Sequence, residues 1–255
     1  MQKGRAVRLE ILGLSPFPEV KPKDDLAGLV AEAAEKNGVG LKTGDIVVVA
    51  QKIVSKVEGC LVRLRDVKPS ALAREWARRE GADPRLVEVV LGESKRIVRM
   101  SPRALITETR HGFICANAGV DRSNIAGRGC VTCLPADPDG SARRLARDLR
   151  GLVNASVAVI ITDSFGRPWR LGQTNVAIGV AGLQPLLDLR GTRDAFGHTL
   201  HATVLAVGDE LAAAAGLAMG KAGRVPVVII RGYRYRAGNG GARTLIRPAA
   251  EDLFR

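Results

Sequence analysis

The sequence has no long hydrophobic runs and few aromatic residues, and each shortage excludes a class of protein. No apolar stretch approaches the ~20 residues that a membrane-spanning helix needs. The first residues carry Arg8 and Glu10, where a secretory signal would need an unbroken apolar core. Aromatic residues make up 4% of the chain, which leaves few side chains on which nucleic-acid bases could stack. We therefore expect a cytoplasmic protein without a membrane segment.

Cysteine is also scarce, and the pattern of the 4 cysteines argues against a structural zinc site. Cys130 and Cys133 form one C-x-x-C pair, but a tetrahedral zinc site needs a second ligand pair at comparable spacing. The 3 histidines are scattered along the chain and do not supply that pair. We interpret the cysteines as ordinary thiols of the protein interior.

Positive charge is what the chain has in excess. It carries 39 Lys and Arg against 26 Asp and Glu, a net charge of +13, which attracts anionic partners. A polyphosphate substrate, nucleic acid and a merely solvated basic surface all fit this charge. The basic residues are spread along the chain rather than gathered in one arm, which counts against nucleic acid.

The hydrophobic pattern predicts helices and strands without regular βαβ alternation, and therefore an α+β fold with mixed, mainly antiparallel sheets. The predicted strands cover 7–12, 46–50, one or two strands over 97–107, 113–116, 157–161, 176–180, 199–207 and 225–230. The predicted helices run from Asp24 or Asp25 to Asn37, over 70–80, from Asp139 or Ser141 onward, and over 208–219. No repeat or linker is visible, so we expect one domain over residues 1–255, with a division into two lobes left open.

Three predicted strands run directly into polar residues. The stretch VIITDSFGRPWR, residues 159–170, passes from apolar residues to Asp163 and Ser164. The polar cluster QKIVSK follows the strand at 46–50, and the loop NAGVDRSN, with Asp121, follows a later one. A Mg²⁺ or Mn²⁺ ion on a nucleotide takes one or two protein carboxylates, so these aspartates are candidate ligands, with the serine hydroxyl as a third donor. For each aspartate taken alone, capping a turn is the commoner role.

Cationic side chains that could bind phosphate follow strands or lie in glycine-bearing loops: Lys56, Arg167, Arg170, Lys221 and Arg224. The stretch GLAMGKAG is not a P-loop, because its first two glycines are too close together and a predicted helix precedes it where a strand should be. Each of these signals is weak by itself.

Longer sequence phrases, taken in their order along the chain, are far more specific than any of these single signals. Seven phrases that occur in order closely resemble the coenzyme F-420-0:L-glutamate ligases, or γ-glutamyl ligases: PEVKPKDDLAGL, GDIVVVAQKIVSKVEG, NAGVDRSN, LPADPDGSA, VIITDSFGRPWRLGQTNVAIG, DELAAAAGLAMGKAGRVPVVIIRG and IRPAAEDLFR. The resemblance covers nearly the whole chain, roughly residues 9–255. It implies a ligase fold specific to this family and a homodimer. Some relatives carry an appended flavin reductase-like domain, and at 255 residues we expect none in this chain.

The resemblance also implies a reaction and its cofactors. Family members join the amino group of L-glutamate to the lactyl carboxylate of F-420-0, a deazaflavin phosphodiester, and hydrolyse GTP to GDP and phosphate. Further glutamates are added through γ-linkages. A carboxylate is a poor electrophile, so it must first accept a phosphoryl group, and metal ions and cationic side chains neutralise the charge on that group. The resemblance further implies Mg²⁺ or Mn²⁺, at two sites, and K⁺.

Carried over by position, Asp121 and Asp163 match the catalytic, metal-binding aspartates of the family, and Ser164 stands where a metal-binding threonine or serine is usual. On this interpretation, strand 157–161 ends abruptly because the residues just beyond it hold the metal. The positions that match nucleotide contacts are Phe17, Pro18, Glu19, Val20, Gln51, Lys56, Asn124, Met219, Gly220, Lys221, Ala222, Gly223, Arg224, Val225 and Pro226.

Three positions depart from the family pattern. Lys221 stands where some archaeal members carry a metal-binding glutamate, and we do not assign it as a metal ligand. Phe17 replaces the usual leucine or isoleucine, and Asn175 replaces a frequent aspartate. Two alternatives stay open: a related nucleotide-dependent ligase that acts on a different acid, and a basic nucleic-acid-binding module.

Overall fold

A computed structural model describes residues 6–101, 104–122, 129–220 and 223–252, and the structural statements below concern these residues. Their helices are α1 (Leu26–Lys36), α2 (Gln51–Val57), α3 (Ala71–Glu80), α4 (Pro84–Gly92), α5 (Pro138–Val153) and α6 (Val207–Met219). Their strands are β1 (Glu10–Gly13), β2 (Ile46–Ala50), β3 (Leu61–Arg63), β4 (Ser94–Ser101), β5 (Ala104–Thr109), β6 (Ile114–Ala116), β7 (Cys130–Thr132), β8 (Ala158–Arg167), β9 (Arg170–Ala181), β10 (Leu187–Asp188), β11 (Val204–Leu205) and β12 (Val227–Arg231).

A five-stranded sheet in the order β1-β12-β2-β8-β9 forms the centre of the fold. Strands β2 and β8 pair in parallel, with Ile46 opposite Ala158 and Ala50 opposite Thr162, and the other pairs of this sheet are antiparallel. Three smaller sheets are antiparallel as well: β10-β11, β3-β7 and β4-β5-β6. The predicted α+β fold with mainly antiparallel sheets is confirmed.

Both faces of the central sheet are covered. Val47 and Val49 of β2 belong to the hydrophobic cluster that also contains α1 and α5 residues, whereas Ile46 and Val48 belong to the cluster on the α6 side. Successive side chains of a strand point to opposite faces, so a strand that is buried on both sides reads as one continuous apolar run. This explains why the central strands were the clearest features of the sequence.

Two of the predicted helix starts are confirmed by their caps. The Asp25 side chain accepts a hydrogen bond from the Gly28 amide before α1, and Ser70 Oγ accepts one from the Ala73 amide before α3. Such caps satisfy amide groups that have no partner inside the helix. Helix α1 ends before Asn37, also as predicted.

The predicted start of α5 at Asp139 or Ser141 is wrong. The cap is Asp137, whose carboxylate accepts from the Gly140 amide at 3.0 Å, and Pro138 occupies the first turn, where proline is favoured. Asp139 instead accepts hydrogen bonds from the amides of Val180 and Ala242, each at 2.8 Å. Its carboxylate therefore ties the edge of β9 to the C-terminal segment.

The predicted end of the strand at 157–161 is also wrong. Strand β8 continues to Arg167, because β9 pairs with it along this length, and Asp163 and Ser164 lie within the strand. What changes beyond Thr162 is exposure, since the first half of β8 is buried and its far end is exposed. The end of the apolar run therefore marks where the side chains of β8 stop being buried, and not where its hydrogen bonding to β9 stops.

Other local predictions need correction. The polar cluster at 51–56 forms helix α2, and α4 was not predicted at all. The strand expected over 199–207 is reduced to β11, and α6 begins directly afterwards. In the described part of the chain, no helix combines the length and the apolarity needed to cross a membrane.

The tight packing of α5 on β9 gives a prediction about stability. A methyl group on Gly179 would overlap the Pro138 carbonyl oxygen, whereas one on Gly151, in the last turn of α5, would meet nothing within 4 Å. We expect Gly179→Ala to lower the free energy of unfolding by about 1–3 kcal/mol, because overpacking forces the backbone to shift. We expect Gly151→Ala, the matched control, to raise it by about 0.5–1 kcal/mol. Urea unfolding of both variants tests this, and equal effects would contradict it.

Candidate active site

Strand polarity brings four chain segments to one edge of the central sheet. Strands β1, β2 and β8 run in the same direction and end there, while the antiparallel β12 begins there. The Leu14 amide donates to the Val227 carbonyl at 3.0 Å, and the Ala50 amide donates to the Pro226 carbonyl at 2.8 Å. The residues that follow β1 and β2, those that precede β12, and those of β8 just beyond its pairing with β2 therefore meet at this edge.

These segments enclose a cleft of about 470 Å³. The predicted site residues that line it are Phe17, Pro18, Glu19, Val20, Gln51, Lys56, Asp121, Asp163, Ser164, Met219, Gly220, Arg224, Val225 and Pro226. Gly223 is described but is not among the lining residues, and Asn124, Lys221 and Ala222 lie outside the described residues. The structure thus brings most of the predicted positions together, and their individual roles stay predictions.

Asp121 is fixed by its backbone and faces a lysine. Its amide donates to the Thr132 carbonyl at 3.0 Å, and its carbonyl accepts from the Thr132 amide at 2.9 Å. Its carboxylate oxygen Oδ2 lies 2.7 Å from Nζ of Lys52. The bridge to β7 orients the aspartate, so its carboxylate enters the cleft from a segment far from β8 in sequence.

Lys52 is a cleft residue that the sequence analysis did not identify. It lies in α2, four residues before Lys56, and residues at this spacing share one face of a helix. The four-residue spacing of the two lysines is visible in the sequence QKIVSK. It places them on one face only because this segment is a helix.

Lys56 is almost buried, at 7% exposure, and its ammonium group lies 2.5 Å from Oε1 of Glu19. Gln51, one turn earlier, is 2% exposed, and its side-chain oxygen accepts a hydrogen bond from Ser55 Oγ at 2.8 Å. A buried ammonium group needs an anionic partner, because desolvation makes an unpaired charge costly. The Lys56 ammonium group therefore lies at the cleft wall, where it needs an anionic partner.

Asp163 and Ser164 leave β8 on opposite faces, as neighbours in a strand do. Asp163 is opposite Val176 in the β8-β9 ladder, and Ser164 is opposite Asn175. Ser164 Oγ donates to Asn175 Oδ1 at 2.7 Å, and Asn175 Nδ2 contacts Met219 Sδ at 3.6 Å. Asn175, the position at which an aspartate is frequent in the family, thus orients the predicted serine ligand against the end of α6.

The cleft also contains a strained backbone position and borders a protonated thiol. Arg224 has φ +51°, in the left-handed region that residues with a Cβ seldom adopt and that is enriched at functional sites.

Burial, together with the nearby Asp163 carboxylate, raises the pKa of Cys115 to about 12. Cys115 is therefore a neutral thiol at physiological pH and not a nucleophile of this site.

The donor set suits a hard divalent cation that is bound together with a phosphate ligand. No group of three or more His, Cys, Asp or Glu side chains that could hold a metal occurs within the described ranges. Asp121 and Asp163 nevertheless supply two carboxylates to one cleft, and Mg²⁺ commonly takes one or two protein carboxylates and completes its shell with water and phosphate oxygens. Lys52, Lys56 and Arg224 supply the cations that such a phosphate would need.

The sequence is similar to a family of known proteins. The family model described as F420-0:Gamma-glutamyl ligase matches residues 16–232. The coenzyme F420:L-glutamate ligase of Methanothermobacter thermautotrophicus is 48% identical over 250 residues, which cover 97% of this chain and 99% of that protein. The protein of the same name from Methanopyrus kandleri is 49% identical over 255 residues, with the same coverage.

A third relative, the coenzyme F420:L-glutamate ligase of Methanocaldococcus jannaschii, is 43% identical over 97% of both chains. The family match and these identities span nearly the full length of the sequence, including each segment that lines the cleft. The chain therefore belongs to the F420-0:γ-glutamyl ligase family.

Proposed function

We propose that this protein joins L-glutamate to the lactyl carboxylate of F-420-0, with GTP as the phosphoryl donor, and that it adds further γ-linked glutamates. The observation that carries the proposal is the composition of the cleft: three carboxylates, two lysines and one arginine from five separate segments line one space of about 470 Å³. Full-length relatives named coenzyme F420:L-glutamate ligase support the substrate assignment.

The reaction has two steps. An oxygen of the lactyl carboxylate attacks the γ-phosphorus of GTP, the bond between this phosphorus and the bridging oxygen breaks, and GDP leaves. The amino group of glutamate then attacks the acyl carbon, loses a proton, and inorganic phosphate leaves with the electron pair of the C–O bond. An amide and one phosphate result, and no oxidant or reductant is required.

Lys52, Lys56 and Arg224 bind the triphosphate and hold its γ-phosphate in line with the acceptor. Lys56 contributes most, because its ammonium group is almost buried and electrostatic attraction is stronger where water is excluded. Phe17 and Val20, which are 8% and 4% exposed, form an apolar wall of the cleft that keeps water from the phosphoryl group.

Asp121 and Asp163 would hold a divalent cation, Mg²⁺ or Mn²⁺. Ser164 leaves β8 on the opposite face from Asp163, so its hydroxyl oxygen would serve a second ion and not this one. When bound, such an ion supplies positive charge to the phosphate oxygens. A second divalent ion, K⁺, a homodimer and a cytoplasmic location remain expectations from the family resemblance.

Removal of either carboxylate tests the site. We expect Asp121→Asn and Asp163→Asn each to abolish turnover, because an amide cannot replace a carboxylate as a cation ligand at this position. Stability should change by at most about 1 kcal/mol for Asp121→Asn, since its ion pair with Lys52 is partly exposed. The measurements are the rate of GDP release with F-420-0 and glutamate present, and the melting temperature.

Asp148→Asn is the matched control, since Asp148 is a half-exposed residue of α5 whose carboxylate pairs with Arg147. It should retain full activity. Near-normal turnover by either cleft variant would refute the assignment of that aspartate.

The nucleotide role of Lys56 gives a separate prediction. We expect Lys56→Met to raise the KM for GTP by about tenfold or more, because a charge-assisted hydrogen bond to phosphate contributes roughly 1.5–3 kcal/mol. The KM for glutamate should stay unchanged. Lys36→Met, at an exposed position on α1, serves as the control. An unchanged KM for GTP in the Lys56 variant would remove this lysine from the nucleotide site.

Product mass distinguishes the proposed reaction from its alternatives. With GTP, Mn²⁺, glutamate and F-420-0, we expect products that are heavier by whole glutamyl units. Turnover on a different carboxylic acid, without a heavier F-420-0, would establish the related ligase instead. Salt-dependent binding to generic DNA or RNA that survives Asp163→Ala, with no turnover at all, would favour a nucleic-acid-binding module.

A further inference from the structure

A second cavity, of about 280 Å³, is lined by residues of β8 and β9 that are next in sequence to cleft residues, and we call it the aromatic cavity. Phe165 lines it from β8, on the same face as Asp163 and two residues beyond, which is about 7 Å along a strand. Val176, which is opposite Asp163 in the ladder, lines it as well. The two spaces therefore share the strands that carry the predicted catalytic aspartate.

The walls of the aromatic cavity are largely hydrocarbon. Phe113 and Phe165 meet edge to face, with ring centroids 6.3 Å apart and an interplanar angle of 65°. Ile114, Leu245 and Ile246 contribute aliphatic surface. Pockets of this kind, with apolar walls and a few polar groups, are typical of sites for planar organic ligands.

Three polar side chains border the cavity: Asp209, Arg247 and Asp252. Asp209 accepts a hydrogen bond from the Ala177 amide at 2.9 Å, and burial raises the pKa of its carboxyl group. Arg247 is exposed at the rim, where its guanidinium group can reach an anionic group of a ligand. The cavity thus combines an apolar interior with a cation at its edge.

We propose that the aromatic cavity binds the deazaflavin ring of the acceptor substrate, with Arg247 at the rim contacting its anionic phosphodiester. This inference rests on the proposed function, because an acceptor whose carboxylate reacts beside Asp163 must place the rest of its structure in a space that adjoins the cleft. At about 280 Å³ the cavity is just smaller than the usual range of ligand pockets, roughly 300–1,000 Å³, so it accommodates the ring and not the whole molecule.

The other small substrate fits this cavity poorly. L-Glutamate carries two carboxylates and one ammonium group, and each charge needs an ionic partner or several hydrogen bonds when it leaves water. The cavity borders contain one guanidinium group and two carboxyl groups among predominantly apolar residues. A planar aromatic ring matches that lining, and glutamate does not.

Two variants, each with a matched control, test the assignment. Arg247→Ala removes the rim cation, and Arg243→Ala removes an exposed arginine of the preceding turn that does not line the cavity. Phe165→Leu removes the aromatic ring but keeps an apolar side chain, and Phe196→Leu does the same at a position that is 87% exposed. Direct binding of F-420-0, followed by the fluorescence of its deazaflavin ring, is measured for each purified protein, as are GTP binding and the KM for glutamate.

We expect the Kd for F-420-0 to rise about tenfold or more in Arg247→Ala, and about three- to tenfold in Phe165→Leu. GTP binding and the KM for glutamate should stay within twofold of the unmodified protein, as should all three values in the two controls. Arg247 is exposed, so its variant should fold normally, and melting temperatures check this for every variant.

The possible failures are distinguishable. If the unmodified protein binds F-420-0 and both cavity variants bind it equally well, the cavity assignment is wrong and the proposed function stands. A rise in the KM for glutamate, with unchanged F-420-0 binding, would make the cavity a glutamate subsite and would equally overturn the assignment. If the unmodified protein neither binds nor converts F-420-0, the proposed function itself fails, and the cavity assignment with it.

Discussion

The parallel pairing of β2 with β8 is the constraint on which the site depends. Because these two strands run in the same direction, Gln51 and Lys52, which follow one strand, come to the edge of the sheet where β8 presents Asp163. Ligand sites in sheets with parallel strands commonly form outside the carboxyl ends of those strands. Had β8 been antiparallel to β2, its aspartate and the α2 lysines would have lain at opposite edges. The segment between the two strands spans more than 100 residues and contains Asp121, so this one pairing also determines where that aspartate can return to the sheet.

Features that depend on burial could be predicted from the sequence, whereas features that depend on pairing could not. The continuous apolar runs at 46–50 and 225–230 were recognisable because helices cover both faces of the sheet. The end of β8 was misplaced because its hydrophobicity stops at Thr162 while its hydrogen bonding to β9 continues to Arg167. Helix α2 was missed because its 7 residues are too few to show a clear helical period.

The same distinction applies to the site. The residues after the predicted strands already suggested the two aspartates, Ser164, Lys56 and Arg224, and the other cleft positions came from the family resemblance. No spacing in the chain could have shown that Glu19 meets Lys56 or that Lys52 meets Asp121. Those contacts depend on the order of strands in the central sheet, which a single sequence does not encode in any local pattern. The aromatic cavity is a further example, since Phe113, Phe165 and Arg247 come from three distant segments.

The ion pairs of the cleft explain how it can carry so many charges before a substrate is bound. Nζ of Lys52 lies 2.7 Å from the Asp121 carboxylate, and Nζ of Lys56 lies 2.5 Å from the Glu19 carboxylate. Neither positive nor negative charge therefore accumulates at these pairs. The charge of Lys56 is almost buried, and a buried charge that loses its partner destabilises a protein by several kcal/mol, so a ligand that displaces Glu19 must itself supply an anion. A simple anion would satisfy the lysines and leave the carboxylates unpaired, and a free cation would do the reverse. A triphosphate that carries a divalent cation presents both signs at once, so each side chain can exchange its partner without an unpaired intermediate. The paired state of the cleft is therefore a reason to propose a metal-bound nucleotide, and not either component alone, as its ligand.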